Sequence, residues 1–94
     1  MSANPSTGTL QLPEVVDLNG LQQLAGELLS FRGSDLLADA SQVRRIGGQG
    51  IQVLLSAVAT WREDGLKFRV DSPSQAFNDA IDVLGIDRAE LSEG

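Results

Sequence analysis

Leu36-Leu37-Ala38-Asp39-Ala40-Ser41-Gln42-Val43-Arg44-Arg45-Ile46-Gly47-Gly48-Gln49-Gly50-Ile51-Gln52-Val53-Leu54-Leu55-Ser56-Ala57-Val58 is the stretch that decides the fold. Leu36-Leu37-Ala38 is a continuous apolar run, the pattern of a central strand covered on both faces. Asp39 to Gln42 ends it, and Val43 to Ile46 connects it to the glycine segment. From Gly50 to Asp64 the pattern turns helical, with Ile51, Leu54, Leu55 and Val58 as a core stripe. Gly65 stops that helix. A strand, a glycine turn and a helix in this order are half of a parallel α/β unit.

Working outward, Thr9-Leu10-Gln11-Leu12 alternates polar and apolar, as a half-buried strand does. Pro13 interrupts it and marks an edge or a turn. Glu14-Val15-Val16-Asp17 is a second extended piece, and Asp17 is suited to cap the helix behind it. Leu21, Leu24, Leu28 and Phe31 line one face of that helix, and Gly33 stops it. Downstream, Leu66, Phe68 and Val70 alternate with Lys67, Arg69 and Asp71, a further strand. Ser72-Pro73-Ser74-Gln75 reads as a capping box with Ser72 as the cap and Pro73 at the first helical position. Phe77, Ala80, Ile81 and Leu84 form the core face of the helix that follows, and Gly85 ends it. The expected fold is therefore α/β: a small, mostly parallel sheet with an antiparallel edge strand and three to four helices. Residues 1–8 read as a loose tail and residues 9–94 as one domain.

Composition removes whole classes of function. The 94 residues include no Cys and no His, so thiol nucleophiles, imidazole acid–base groups and ordinary zinc sites are absent. A formal net charge of −6 disfavours nucleic acid and an anionic membrane surface. No stretch approaches the ~20 apolar residues of a membrane span, and the first residues lack the charged and apolar blocks of a signal peptide. The reading is a cytoplasmic protein with no cofactor and no metal. Asp17, Asp35, Asp39 and Asp71 invite a Mg²⁺-dependent phosphatase site, but no supporting Lys and Thr/Ser pattern accompanies them. The chain is expected to be a binding module and not an enzyme.

The glycine segment and its helix supply the candidate binding residues. Gly47, Gly48 and Gly50 precede a helix start, where free amides and the helix dipole favour an anion. The spacing fits neither a phosphate-binding loop with Gly-Lys-Ser/Thr nor a dinucleotide fingerprint. Two readings stay open: a turn where backbone packs closely, or a surface that a partner approaches closely. Gln49 and Gln52 lie on the same helix start, and Arg45 precedes it as a possible partner for carboxylates. Val53, Ala57 and Trp61 form a second stripe beside the core stripe. They read either as packing against a neighbouring helix or, for the sole Trp, as an interface anchor. Ser41 and Ser56 are alternative sites of modification.

These segments together resemble the STAS family, the anti-sigma-factor-antagonist-like domains. The resemblance spans about residues 9–87 and is strongest from Leu37 to Ala57. Family members end a strand in Asp-x-Ser, here Asp39-Ala40-Ser41, and follow it with Asp-Ser-Ser/Thr-Gly before a helix with paired leucines. Here that motif is Gly47-Gly48-Gln49-Gly50, so the resemblance places the phosphoacceptor serine at Gly48, which has no hydroxyl. It is similar in particular to small STAS proteins of chemotaxis clusters. The resemblance implies docking on an ATP-binding partner, with a chemotaxis histidine kinase foremost, to modulate phosphoryl signalling. It leaves two alternatives: a STAS-like subunit of a lipid-transport ABC ATPase complex, or an anti-sigma factor antagonist controlled by other means. On this reading Arg45, Gly47, Gly48, Gln49, Gly50, Gln52, Val53, Ala57 and Trp61 meet the partner.

Overall fold

A computed structural model describes residues 8–93. The elements are β1 (Gly8–Gln11), β2 (Val15–Val16), α1 (Leu18–Ser30), β3 (Leu36–Asp39), β4 (Arg45–Ile46), α2 (Gly48–Glu63), β5 (Phe68–Asp71), α3 (Gln75–Leu84), a 3-10 turn (Arg88–Leu91) and β6 (Ser92–Glu93). Four strands form the main sheet in the order β1-β3-β5-β6. β1, β3 and β5 are parallel, and β6 runs antiparallel to β5. The mostly parallel sheet with an antiparallel edge is thus as expected. The antiparallel member is β6, beyond the last helix that the sequence pattern indicated. Residues 1–7 of the expected tail lie outside the described residues, and Gly8 already pairs with Leu36.

Because β1, β3 and β5 advance one way across the sheet, right-handed crossovers lay α1 and α2 on one face. The side chains follow. Leu10, Leu36, Ala38 and Phe68 are buried, while Thr9, Gln11 and Arg69 on the other face are exposed. This corrects the expectation for β3, which lies centrally but is covered on one face only. Leu37 points to the open side and is half-buried.

Helix termini obey local chemistry. The Asp17 carboxylate accepts from the amides of Asn19 (3.0 Å) and Gly20 (3.1 Å), so the expected cap is present. Gly65 and Gly85 adopt left-handed φ of +73° and +71° behind α2 and α3, the stops the sequence indicated. The cap of α3 is Ser74, not Ser72. The Ser74 hydroxyl accepts from the Phe77 amide (3.1 Å) and donates to the Val43 carbonyl (2.6 Å). Ser72 has a φ of +51° and its hydroxyl turns back to Asp71. That conformation lies outside the extended region a cap residue occupies, so the helix starts two residues later.

Trp61 is 1 % exposed and Ala57 is buried, which corrects their assignment to a partner-facing stripe. The Trp61 ring packs against Phe68 at 5.5 Å between centroids, and its indole N–H donates to the Ser34 carbonyl at 2.8 Å. Both ends of this amphipathic side chain are therefore satisfied within the chain. Val53 is half-buried against the core. Beside the ring, Arg32 donates to Asp64 at 3.0 Å. That hydrogen bond, with the Coulomb attraction of the pair, holds the Asp64 carboxyl below its ordinary range and raises Arg32. The pair is exposed, so its contribution is small.

A buried structural Trp makes a definite prediction. Trp61→Ala should cost about 3–5 kcal/mol in urea unfolding. Its fluorescence should be that of a buried indole, shift red on unfolding, and stay unchanged when a partner is added. A change in emission maximum on partner binding in the folded state would place Trp61 at an interface after all.

Candidate functional site

The glycine segment is built on a small piece of sheet of which the sequence indicated only one strand, within Glu14-Val15-Val16-Asp17. β2 and β4 form a separate two-stranded parallel sheet, pairing Val15 with Arg45 and Val16 with Ile46. The amides of Arg44 and Arg45 both donate to the Glu14 carbonyl, at 2.7 and 3.1 Å. This clip sets the start of α1 at Asp17 beside the start of α2 at Gly47. Two residues carry no periodicity, so β4 read as part of a connection, and its pairing with β2 was not legible in the sequence.

The three glycines do different things. A Cβ on Gly50 would lie 2.8 Å from side-chain carbons of both Val16 and Ile46. A side chain there would have to displace Val16 or Ile46, so glycine lets α2 seat closely on the β2–β4 clip. This buried residue belongs to the fold and is corrected out of the partner-facing set. Gly47 has nothing within 4 Å of a built Cβ, and Gly48 would only touch Leu84 at 3.8 Å. Gly47 has φ −94° and ψ 178°, extended backbone that any residue adopts. It sits at the N-cap of α2 and offers no side-chain hydrogen bond there, unlike Asp17 and Ser74 at the other two helix starts. Glycine at 47 and 48 is thus not explained by space or by backbone conformation. Close approach from outside is what bare backbone at these positions permits.

Around this ridge the surface is apolar. On one side, Val16, Leu18 and Leu21 of β2 and α1 face Arg45 to Gly50 across a groove. On the other, Ala76, Ala80, Val83 and Leu84 of α3 face Arg44 to Gly48 across a second groove. Gln49 and Gln52 continue the second groove towards Ile86. Leu18 is 71 %, Val83 85 % and Leu84 46 % exposed. Leu84 therefore does not belong to the core face of α3, which consists of Phe77 and Ile81 with Ala80 beside them. The structure thus gathers Arg45, Gly47, Gly48, Gln49 and Gln52 on one exposed face and sends Gly50, Ala57 and Trp61 inward. It adds Leu18, Val83 and Leu84, which sequence reading missed. The signal was present, because Val83 falls off the Phe77–Ile81 stripe and has no buried reason to be apolar.

The four aspartates do not gather at one place. Asp39 and Asp71 are register partners at one end of the sheet, while Asp35 accepts from the Lys67 amide at the other end. Asp39 accepts from the Ser41 amide at 2.9 Å, which holds its carboxyl below the ordinary range. Among the described residues no group of three or more His, Cys, Asp or Glu is placed to hold a metal ion. No helix among them is long and apolar enough to cross a membrane.

The division among the glycines is measurable by thermal unfolding. Gly50→Ala should destabilise by about 1–3 kcal/mol through overpacking. Gly48→Ala should be neutral or stabilise by up to ~1 kcal/mol. Gly47→Asp should stabilise by a few tenths of a kcal/mol, by supplying the missing cap. A loss of stability in both of the latter variants would show that the fold itself needs all three glycines.

Comparison with known proteins agrees with this architecture. Neither the curated proteins nor the solved structures give a match. The STAS_2 family model, described as Mlab, STAS domain, matches residues 1–93. That match runs over nearly the whole chain and over every strand and helix described above, and the chain therefore belongs to the STAS_2 family of STAS domains.

Proposed function

We propose that the chain is a non-catalytic regulatory module that docks through the start of α2 on an ATP-binding protein partner, foremost a chemotaxis histidine kinase. The observation that carries this reading is the pair Gly47 and Gly48. The fold leaves room for side chains there, yet none is present, and exposed apolar residues flank the gap. A partner can lay its own surface against the backbone of this turn and cover Leu18 or Leu84 as it does so. Exposed apolar residues gathered around one feature, and not scattered singly, are the mark of an interaction surface. The module would act by binding one conformation of the partner better than another, transferring no group itself.

Position 48 also sets what kind of control is open. Within the STAS resemblance it is the phosphoacceptor position, and glycine offers no oxygen to phosphorylate. Docking would then be constitutive at this residue, with occupancy controlled by concentration, by the partner's nucleotide state or by modification elsewhere, such as at Ser41 or Ser56. Both serines are exposed. The same bareness favours a second reading. A face without a switch suits a standing subunit of a larger assembly, and the resemblance extends to lipid-transport ABC ATPase complexes. In both readings the partner is an ATP-binding protein and the face is the same.

Calorimetric titration of the chain against the ATP-binding domain of the kinase, and separately against the nucleotide-binding subunit of the transporter, decides between them. Binding at tens of micromolar or tighter is expected to one of the two. Gly48→Trp, which projects into solvent, should weaken it by about tenfold or more, equivalent to ~1.4 kcal/mol. No binding to either, or binding indifferent to Gly48→Trp, contradicts the proposal.

A further inference from the structure

α3 carries more apolar surface than the fold uses. At roughly 100° per residue, Phe77 and Ile81 mark the inward direction, and Ala76, Ala80 and Val83 centre roughly 110° away from it. The inward stripe is buried against the core, whereas the side stripe ends at Val83, 85 % exposed, and Leu84, 46 % exposed. This side stripe forms one wall of the groove whose other wall is the β4–α2 turn. Its apolar lining is Ile46, Gly48, Ala76, Ala80, Val83 and Leu84. An apolar groove of this kind suits the apolar face of a partner's amphipathic helix, read at i, i+3 and i+4 spacing.

The charges of the groove narrow what can lie in it. Arg44 and Arg45 stand on the β4 wall. Arg44 is engaged with Glu14 at 3.5 Å. Arg45 is exposed and makes no ion pair among the described residues, in a chain of net charge −6. On the α3 wall the charge is Asp79, whose carboxylate accepts from Gln75 at 2.8 Å. An unpaired guanidinium beside an apolar trough asks for a carboxylate at a fixed place next to an apolar stripe. A basic or uncharged segment would leave Arg45 unanswered.

We infer that the α2–α3 groove receives an amphipathic helical segment of the protein partner, which lays its aliphatic side chains against Val83 and Leu84 across bare Gly48 and presents a carboxylate to Arg45. This rests on the docking reading above and deepens it. It moves the centre of the interface off the flank of α2 that carries Val53, Ala57 and Trp61, and onto α3.

The test uses two synthetic helical peptides that share a Leu/Ala stripe, one carrying a glutamate beside the stripe and the other a lysine. Each is titrated into the ¹⁵N-labelled full chain. The glutamate peptide should shift the amides of Gly48, Ala80, Val83 and Leu84 and bind about tenfold tighter than the lysine peptide. Val83→Asp should abolish binding at a position too exposed to affect folding. Arg45→Glu should reverse the preference between the peptides. Equal binding of both peptides, shifts outside the groove, or no shifts at millimolar peptide would overturn the inference. So would line broadening that depends on the concentration of the chain alone, because the occupant would then be a second copy. A glutamate peptide that binds here while the kinase and transporter domains fail to bind would sink the choice of partner and leave the groove assignment standing.

Discussion

The structure turns on a space that does not exist. Residue 50 lies so close to Val16 and Ile46 that a single added carbon would come within 2.8 Å of both. Glycine lets the first turn of α2 sit down on the β2–β4 clip without displacing Val16 or Ile46, and the clip is what brings the beginnings of α1 and α2 together. Without that seating the two grooves beside Gly48 would have no floor. The clip is small, two residues on each strand, yet it is tied down further by the Glu14 carbonyl accepting from two successive amides. Secondary structure this short holds only when side chains on both strands are buried, and Val16 and Ile46 both are.

The same helix start combines a position the fold dictates with two that it leaves free. Gly50 answers to packing. Gly47 and Gly48 are required by no packing contact among the described residues, and the uncapped start of α2 gives up a stabilisation that α1 and α3 each take from a side chain. Sites at which a protein forgoes an available local stabilisation are where function competes with folding. The exposed apolar residues on α1 and α3 converge on the same place from either side. That convergence, and not the glycines alone, is what supports the proposal that a partner covers this turn.

Much of this was legible in the sequence where the cause is local. Asp17 caps α1, the alternation from Leu66 to Asp71 makes a strand, and Gly65 and Gly85 stop their helices, because each depends on a few neighbouring residues. What was illegible depends on distant partners. β4 and β6 have two residues each, too few for any period, and exist because β2 and β5 lie beside them. Leu36-Leu37-Ala38 looked covered on both faces, yet the crossovers all fall on one side and leave Leu37 half open. Trp61 looked like an anchor because it lay beyond the leucine stripe. It is internal because α2 is wedged between neighbours on two sides, so a wide apolar arc is buried. α3 misled in the opposite sense. Its apolar arc is as generous, but none of the described elements covers the Val83 side, and composition cannot tell a covered arc from an open one.

Amide hydrogen exchange, measured on the chain alone and in the presence of the ATP-binding domain proposed as its partner, tests the central claim most directly. The start of α2 should exchange readily in the free chain, because no side chain caps its first amides. In the complex, protection should appear at Gly48 and Gln49 and along the outer side of α3 near Val83, with β1 and the far end of α2 around Trp61 unchanged. Protection confined to β1 or to the open face of the sheet, with the Gly47–Gly48 turn exchanging as before, would contradict the account.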